Sequence, residues 1–357
     1  MSDAADSDGF VSQQDILPLV LPLMLDAKLV DSEDYNDAFY TSADNGKINA
    51  YAVNDTGERL QIFLVDDDSV RPLIGDDEVL VSERKYYEGL ARMAKKFIRG
   101  GLAGSFIDAM QDADPVKVLA SKLQIRDELS EFDVVEVFVI SLKASVSFRG
   151  PTPRARQIHI KSEEVPYRFH SEDGQKHRAS IEIQYRVIDL NFLAEVETSR
   201  GRREPLIVDF QRDFDLRIEV IEAGHEGQFR TYLCVLDGEI LYKLYRKYSS
   251  RMLEKNVRSF LQVRQATNKG IRETIRKEPE KFVAFNNGLT ITATGSKTAH
   301  YKKRLYLEQL TDFQIVNGGQ TMASIFFAHR DGIPISDVKV MAKINVLSEQ
   351  SEDKLDD

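Results

Sequence analysis

Apolar positions fall into distinct patterns along the chain, and each predicts its own element. A nearly continuous apolar run, DILPLVLPLMLDAK at 15–28, predicts a helix interrupted or kinked near Pro18 and Pro22, where the backbone lacks an N–H. Runs rich in β-branched and aromatic residues follow, KINAYAV at 47–53 and ERLQIFLVDD at 58–67. The NDTG between them predicts a β-hairpin turning at 54–57. Helical periodicity then takes over from 79 to 99, with Tyr87, Leu90, Met93, Ala94 and Phe97 on one face and Gly100-Gly101 as its stop. A second helix at 114–123 leads into VVEVFVISL at 134–142, a strand apolar on both faces. Helix, hairpin, helix, strand is the order of an α/β domain whose sheet is covered on both sides.

Residues 149–178 break this pattern. They are polar and contain Pro151, Pro153 and Pro166, so they read as loop; His159, His170 and His177 within them have spacings that fit no common metal-site pattern. SIEIQYRVI at 180–188 alternates as a strand, and Asp189 is placed to cap the helix that DLNFLAEVE forms. SRGRREP at 199–205 is the most linker-like stretch, which puts the main boundary at 200/201. Beyond it the pattern predicts strands at PLIVDF, LRIEV and TYLCVLD, helices at 241–261 and 269–276, strands at FNNGLTIT and FQIVNGG, a helix to about 327, and a strand VKVMAKINV. The first ten residues are rich in Ser, Asp and Ala and read as a disordered tail. The domains expected are therefore a tail at 1–10, an N-terminal domain at 11–200 and a C-terminal domain at 201–357.

Composition narrows the class. The chain has 357 residues, is 42% hydrophobic, and contains no apolar run long enough to span a membrane and no secretory signal, which predicts a cytoplasmic protein without a membrane partner. Its single cysteine, Cys234, excludes an internal disulfide or a cysteine-cluster metal site and reads as a buried structural thiol. Charge is spread unevenly over the formal total of −10: residues 1–80 carry a balance of −14, whereas 243–281 hold 12 Lys and Arg against 4 Glu. A basic segment of that kind can offset phosphate charge locally, or can dock on acidic neighbours of its own chain.

Two Asn-Gly turns carry the most specific signal. Phe285 to Gly295 reads FNNGLTITATG, and LEQLTDFQIVNGGQTMASIFFA follows at 307–328, its second turn opening straight into a helix. Asn and Gly enter positive φ cheaply and place backbone N–H groups at strand ends. Together with Asn256, Val257 and Arg258, then Asn268 and Lys269, these residues (Asn286-Asn287-Gly288-Leu289-Thr290 and Asn317 to Thr321) resemble, in order and spacing, the signature of the AIPR proteins, named for abortive-infection phage resistance. The resemblance implies a fold in which a restriction-nuclease-like mixed sheet flanked by helices precedes a second α/β domain carrying the signature. It also implies sequence continuing past 357, so this chain is either truncated or a short variant.

Many AIPR proteins resemble PD-(D/E)XK nucleases in their N-terminal part, and that likeness implies a helix acid, an Asp on one hairpin strand and (Glu/Gln)-x-Lys on the next. Such chemistry needs carboxylates for a divalent metal, here Mg²⁺, and a lysine to stabilise developing charge. Glu33 or Asp37 is available as the helix acid. The hairpin, however, carries Ile48-Asn49-Ala50 where the Asp belongs and Leu64-Val65-Asp66 where (Glu/Gln)-x-Lys belongs. Glu33, Asn49 and Asp66 are thus the nuclease-like positions of a degenerate site that lacks a cation. A rearranged site would use Glu33, Asp55, Asp66 and Asp67; no metal site is otherwise assigned, and no other cofactor is expected.

In the C-terminal part, strand, (Asn/Asp)-Gly-x-Gln, helix, strand resembles the ParB-like and DGQHR-type proteins, in which such a turn sits beside a nucleotide or phosphate. Glycines at a helix start allow close approach of an anion, and the helix dipole favours it. Asn286, Asn287, Asn317, Gly318, Gly319, Gln320 and Thr321 are accordingly the candidate ligand-binding set, with the alternative that NGG only makes a tight turn. Arg258, Arg264, Asn268, Lys269 and Arg272 are the candidate nucleic-acid contacts. The reading is an anti-phage defence protein that binds nucleic acid or nucleotide through its AIPR domain. An active metal-dependent nuclease and a protein–protein sensor, as a homo-oligomer or with a defence-system partner, stand as the alternatives.

Overall fold

The computed structural model describes residues 13–43, 45–54, 57–69, 79–107, 110–111, 114–124, 132–148, 153–170, 176–198, 205–226, 229–253 and 265–347. The expected tail at 1–10 lies outside them. The chain divides into two compact units, Met1–Arg203 and Glu204–Asp357.

The first unit is built on a six-stranded sheet. Helix α1 (Gln13–Asp26) leads to strands β1 (Asn36–Thr41), β2 (Lys47–Val53) and β3 (Arg59–Val65), then helices α2 (Arg84–Ala103) and α3 (Pro115–Leu123). Strand β4 (Val134–Ile140), a hairpin of β5 (Glu163–His170) and β6 (Lys176–Ile188), and helix α4 (Leu190–Thr198) follow, and short strands at Val81–Ser82, Ala144–Ser147 and Arg154–Ala155 form a small separate sheet. The strand order is β1-β2-β3-β4-β6-β5. β1, β2 and β3 form an antiparallel meander, β4 joins β3 in parallel, and β6 joins β4 in parallel. The predicted hairpin thus lies beside the predicted apolar strand, with helices on both faces.

Alternation along β3 sorts the layers. Leu60, Ile62 and Leu64 pack with α2 and α3, while Phe63 and Val65 pack with α1 and α4. The strand is therefore buried over its whole length, as a central strand flanked by parallel and antiparallel neighbours should be. One polar row interrupts the second layer. Arg59 Nη1 donates to Glu136 Oε1 at 2.7 Å, and Gln61 Nε2 donates to Glu136 Oε2 at 3.1 Å and to the Leu29 carbonyl at 3.3 Å.

Several expectations are corrected here. Helix α1 is not interrupted at Pro18 or Pro22, because the buried stripe Ile16, Leu17, Val20, Leu21 and Met24 holds it against the sheet. Helix α2 starts at Arg84 rather than 79 and passes through Gly100-Gly101 to a left-handed Gly104. Those two glycines are there for packing: a Cβ on Gly100 would lie 2.1 Å from the Phe106 ring, and one on Gly101 would lie 2.9 Å from Leu123. The polar stretch read as loop contains all of β5 and the start of β6.

The second unit carries a larger sheet, and the three longest of its described helices pack together beside it. Strands β7 (Val208–Asp209), β8 (Ile218–Glu226) and β9 (Phe229–Asp237) precede helices α5 (Gly238–Tyr248) and α6 (Gln265–Lys277). Then come β10 (Leu289–Ala293), β11 (Gly295–Tyr301), β12 (Arg304–Thr311), β13 (Gln314–Asn317), helix α7 (Gly319–Arg330) and β14 (Lys339–Leu347). The order is β7-β12-β8-β9-β14-β10-β13, with β11 paired to β12; β10 and β14 run parallel, and the other named pairs among the described residues are antiparallel. Helix α7 packs on α5 and α6 over the apolar face. The helix expected at 241–261 closes at Tyr248 and continues as a 3-10 turn, Ser249–Met252, while 254–261 lie outside the described residues. Cys234 is buried on β9, and burial pushes its thiol up to about 12, the inert thiol its apolar surroundings predicted. No helix among the described residues is long and apolar enough to cross a membrane.

Candidate functional site

At the C-terminal ends of β3 and β4 a polar cluster closes over the sheet. Asp66, 1% exposed, follows β3 directly, with its N–H on the Ile140 carbonyl at 2.8 Å. Its Oδ1 accepts from Tyr86 Oη at 2.6 Å and its Oδ2 from Ser141 Oγ at 2.7 Å. Lys143 Nζ donates to Tyr86 Oη at 2.6 Å and lies 3.7 Å from Asp66 Oδ2. Burial, then the hydrogen bond and charge of Asp66, push the Tyr86 phenol well above its ordinary value, so Tyr86 is the donor in that bond. Lys47, buried at the start of β2, donates to the Val65 carbonyl at 2.8 Å and pairs with Asp67.

The nuclease-like positions therefore separate. Glu33 is exposed in the bend between α1 and β1, not on a helix, because α1 ends at Asp26; Asp37 is exposed on β1. Asn49 is buried on β2, and its Oδ1 accepts the Val65 N–H at 2.8 Å, extending the β2–β3 pairing with a side chain. Asp66 alone reaches the cluster, with Asp67 beside it, and Asp55 lies outside the described residues. Among the described residues no three His, Cys, Asp or Glu side chains converge to hold a metal ion. The expected absence of a cation is overturned: Lys47 and Lys143 both reach the carboxylates. Each is a lysine at one end of an apolar strand run, and nothing local in the sequence ties either to the aspartates.

Between this cluster and α2 lies a cleft of about 640 Å³, lined by Lys47, the three aspartates 66–68, and from α2 Lys85, Tyr86, Gly89, Leu90, Arg92, Met93 and Lys96. The position at the C-terminal ends of parallel strands is where open α/β sheets place ligands. Leu90 and Met93, expected in the core face of α2, are only half-buried and form part of its wall.

In the second unit the two Asn-Gly turns meet. β10 pairs with β13 with Thr290 opposite Asn317, so the turn before β10 and the turn after β13 are neighbours. Gly318 adopts φ 95°, and a Cβ there would stand 3.0 Å from the Gly288 carbonyl. The strand–turn–helix order is as read: Gly318 caps α7 without a side-chain hydrogen bond, and the Met322 N–H closes on the Gly318 carbonyl at 3.1 Å. Asn317 and Asn287 are exposed, Asn286 and Gln320 half-buried, Gly319 and Thr321 buried. FNN is not strand, however. Phe285 ends a one-turn helix, Phe282–Phe285, and Asn286 caps it, its N–H donating to the Phe282 carbonyl at 3.0 Å.

The basic segment is partly committed to its own chain. Arg258 and Arg264 lie outside the described residues, and of Asn268 and Lys269 only the backbone, on α6, is described. Arg272 pairs with Asp331, Lys277 with Glu273 at 2.5 Å, and Lys281 with Glu278 at 2.6 Å. Lys247 and Tyr248 converge on Asp213 at 3.1 and 2.8 Å, with Arg212 beside it. Burial pulls the Asp213 carboxyl upward, but hydrogen bonds from Arg212, Tyr248 and Lys247 outweigh it and hold it at about 2, below its ordinary 3.8. A depressed carboxylate stabilises the fold above its unfolded value and loses that contribution as the pH falls through the window from 3.8 to about 2. Asp213→Asn should therefore lower stability at pH 7 and converge with the parent near pH 2, read by denaturant unfolding at both values.

A family model described as AIPR protein matches residues 253–357, the segment holding helix α6, both turns and β10 to β14. No curated protein and no solved structure matches the chain.

Proposed function

From the premise that this is an AIPR protein, its family segment at 253–357, we propose that it is an anti-phage defence protein that binds nucleic acid or nucleotide through that segment. The observation that carries the reading is the meeting of the two Asn-Gly turns, with Gly318 against Gly288 and α7 opening from the second turn with no side-chain cap. Backbone amides at a glycine-opened helix start favour a negatively charged group. The acidic neighbours of the basic segment argue for a compact binding patch rather than a broad one.

The N-terminal unit, in this reading, is a nuclease-like domain that no longer cuts. The family resemblance implies helix, hairpin, helix and strand, and here β1 adds a third strand to the hairpin while β4 joins it in parallel. At the end of β3, lysine, tyrosine and serine occupy the surroundings in which a metal would need open carboxylate oxygens. A second reading, an interaction protein, is favoured by one observation: Ile221, Leu233, Val235 and Met341 are exposed on the sheet of the second unit.

Binding of a labelled oligonucleotide over a salt series tests the first reading. Affinity should fall linearly with salt on logarithmic axes, and replacing Arg258, Arg264, Lys269 and Arg272 by Ala should weaken binding and flatten the slope. Binding unchanged by the four substitutions would leave the segment a structural one.

A further inference from the structure

We propose that the cleft between α2 and the end of β3 is a second, separate binding site, for a phosphate ester of mononucleotide size. Its volume, about 640 Å³, fits such a ligand and is far too small for a duplex. Lys85, Arg92 and Lys96 line it from one helix, spaced by seven and four residues, so that they recur along one face of α2. Among the described residues, neither Lys85 nor Arg92 has an ion-pair partner. The carboxylates opposite are already served, Asp66 by Tyr86, Ser141 and Lys143 and Asp67 by Lys47. Asp68 stays exposed on the floor, so the charge left over is that of two cations, Lys85 and Arg92, against one carboxylate, and an anion is what the α2 wall would take.

Gly89 provides the independent pointer. It sits inside a 20-residue helix, where glycine is unfavourable compared with alanine. It has no packing reason to be glycine, since a Cβ there would meet only the Arg92 guanidinium at 3.8 Å. Its φ carries no left-handed requirement either. What its missing side chain does is keep the α2 wall of the cleft open between Lys85 and Arg92. Leu90 and Met93 give the same wall an apolar strip on which a base can pack, while Asp68 is exposed on the floor to accept from sugar hydroxyls.

Calorimetric titration of the whole chain with ADP, inorganic pyrophosphate and a 12-nucleotide single-stranded DNA tests this. ADP should bind more tightly than pyrophosphate, and Lys85→Glu or Arg92→Glu should weaken it at least tenfold. Gly89→Gln should raise the melting temperature and still weaken ADP binding, a combination that a purely structural role for the position cannot give. Lys85→Glu should leave the salt-dependent affinity for the DNA unchanged, which separates this site from the one in the family segment. ADP affinity insensitive to the α2 substitutions would overturn the proposal. So would DNA binding through Lys85 and Arg92 without measurable ADP binding, because the occupant would then be nucleic acid.

Discussion

Asp66→Ala should cost about 3 kcal/mol of folding stability, a loss that urea unfolding would read directly. The carboxylate is buried and accepts from two hydroxyls, and a lysine only 10% exposed lies beside it. Removing it leaves Lys143, Tyr86 and Ser141 facing one another without their common acceptor, and an uncompensated buried charge dominates such a change. A carboxylate kept for metal chemistry behaves in the opposite way. It repels its neighbours in the metal-free state, and its removal is tolerated or stabilising. A variant as stable as the parent, or more so, would show that Asp66 does not anchor the network.

Gly288→Ala and Gly318→Ala should each destabilise by about 1–3 kcal/mol, for different reasons. At Gly288 a Cβ would lie 2.2 Å from the Met341 carbonyl, a backbone atom that can move only by breaking the parallel pairing in which Leu289 faces Ala342. Gly318 combines φ 95° with a Cβ position 2.5 Å from Leu289. Thermal melts of the two variants check this, and losses under about 0.5 kcal/mol would mean the turns relax where the packing says they cannot. Both glycines of the family signature are thus required for strands β10, β13 and β14 to close together, whatever else binds there.

The layers of the first unit were legible because its sheet is apolar on both faces. KINAYAV, ERLQIFLV and VVEVFVIS have no other way to be buried than side by side under helices. β5 and the first residues of β6 were not legible, although 180–188 was, because β5 pairs on one side only and its ladder is made of backbone bonds that polar side chains do not reveal. At the C-terminal turns, Asn-Gly chemistry gave the positions of Gly318 and of α7, while the short helix before Asn286 passed for strand. The β3-end cluster was half-read. Asp66 was identified as a nuclease-like position, but its lysines come from residues 47 and 143, far from it in the chain, and no local pattern announces a pairing made by the tertiary fold. Likewise the charge of 243–281 was countable, whereas Asp331 as the partner of Arg272 was not.

Cleavage is the direct test of the claim that the first unit binds and does not cut. The purified chain would be incubated with plasmid DNA and with labelled RNA across a Mg²⁺ and a Mn²⁺ titration, beside an Asp67→Asn variant whose fold is verified by its unfolding curve. Asp67 is exposed and pairs with the buried Lys47, and an Asn there can still accept from that lysine, so the substitution removes the carboxylate charge while keeping the side chain's shape. The expected result is product no greater than in the metal-free control at every concentration, for both chains. Metal-dependent cleavage by the parent that Asp67→Asn abolishes would contradict it and establish a rearranged nuclease site at the end of β3.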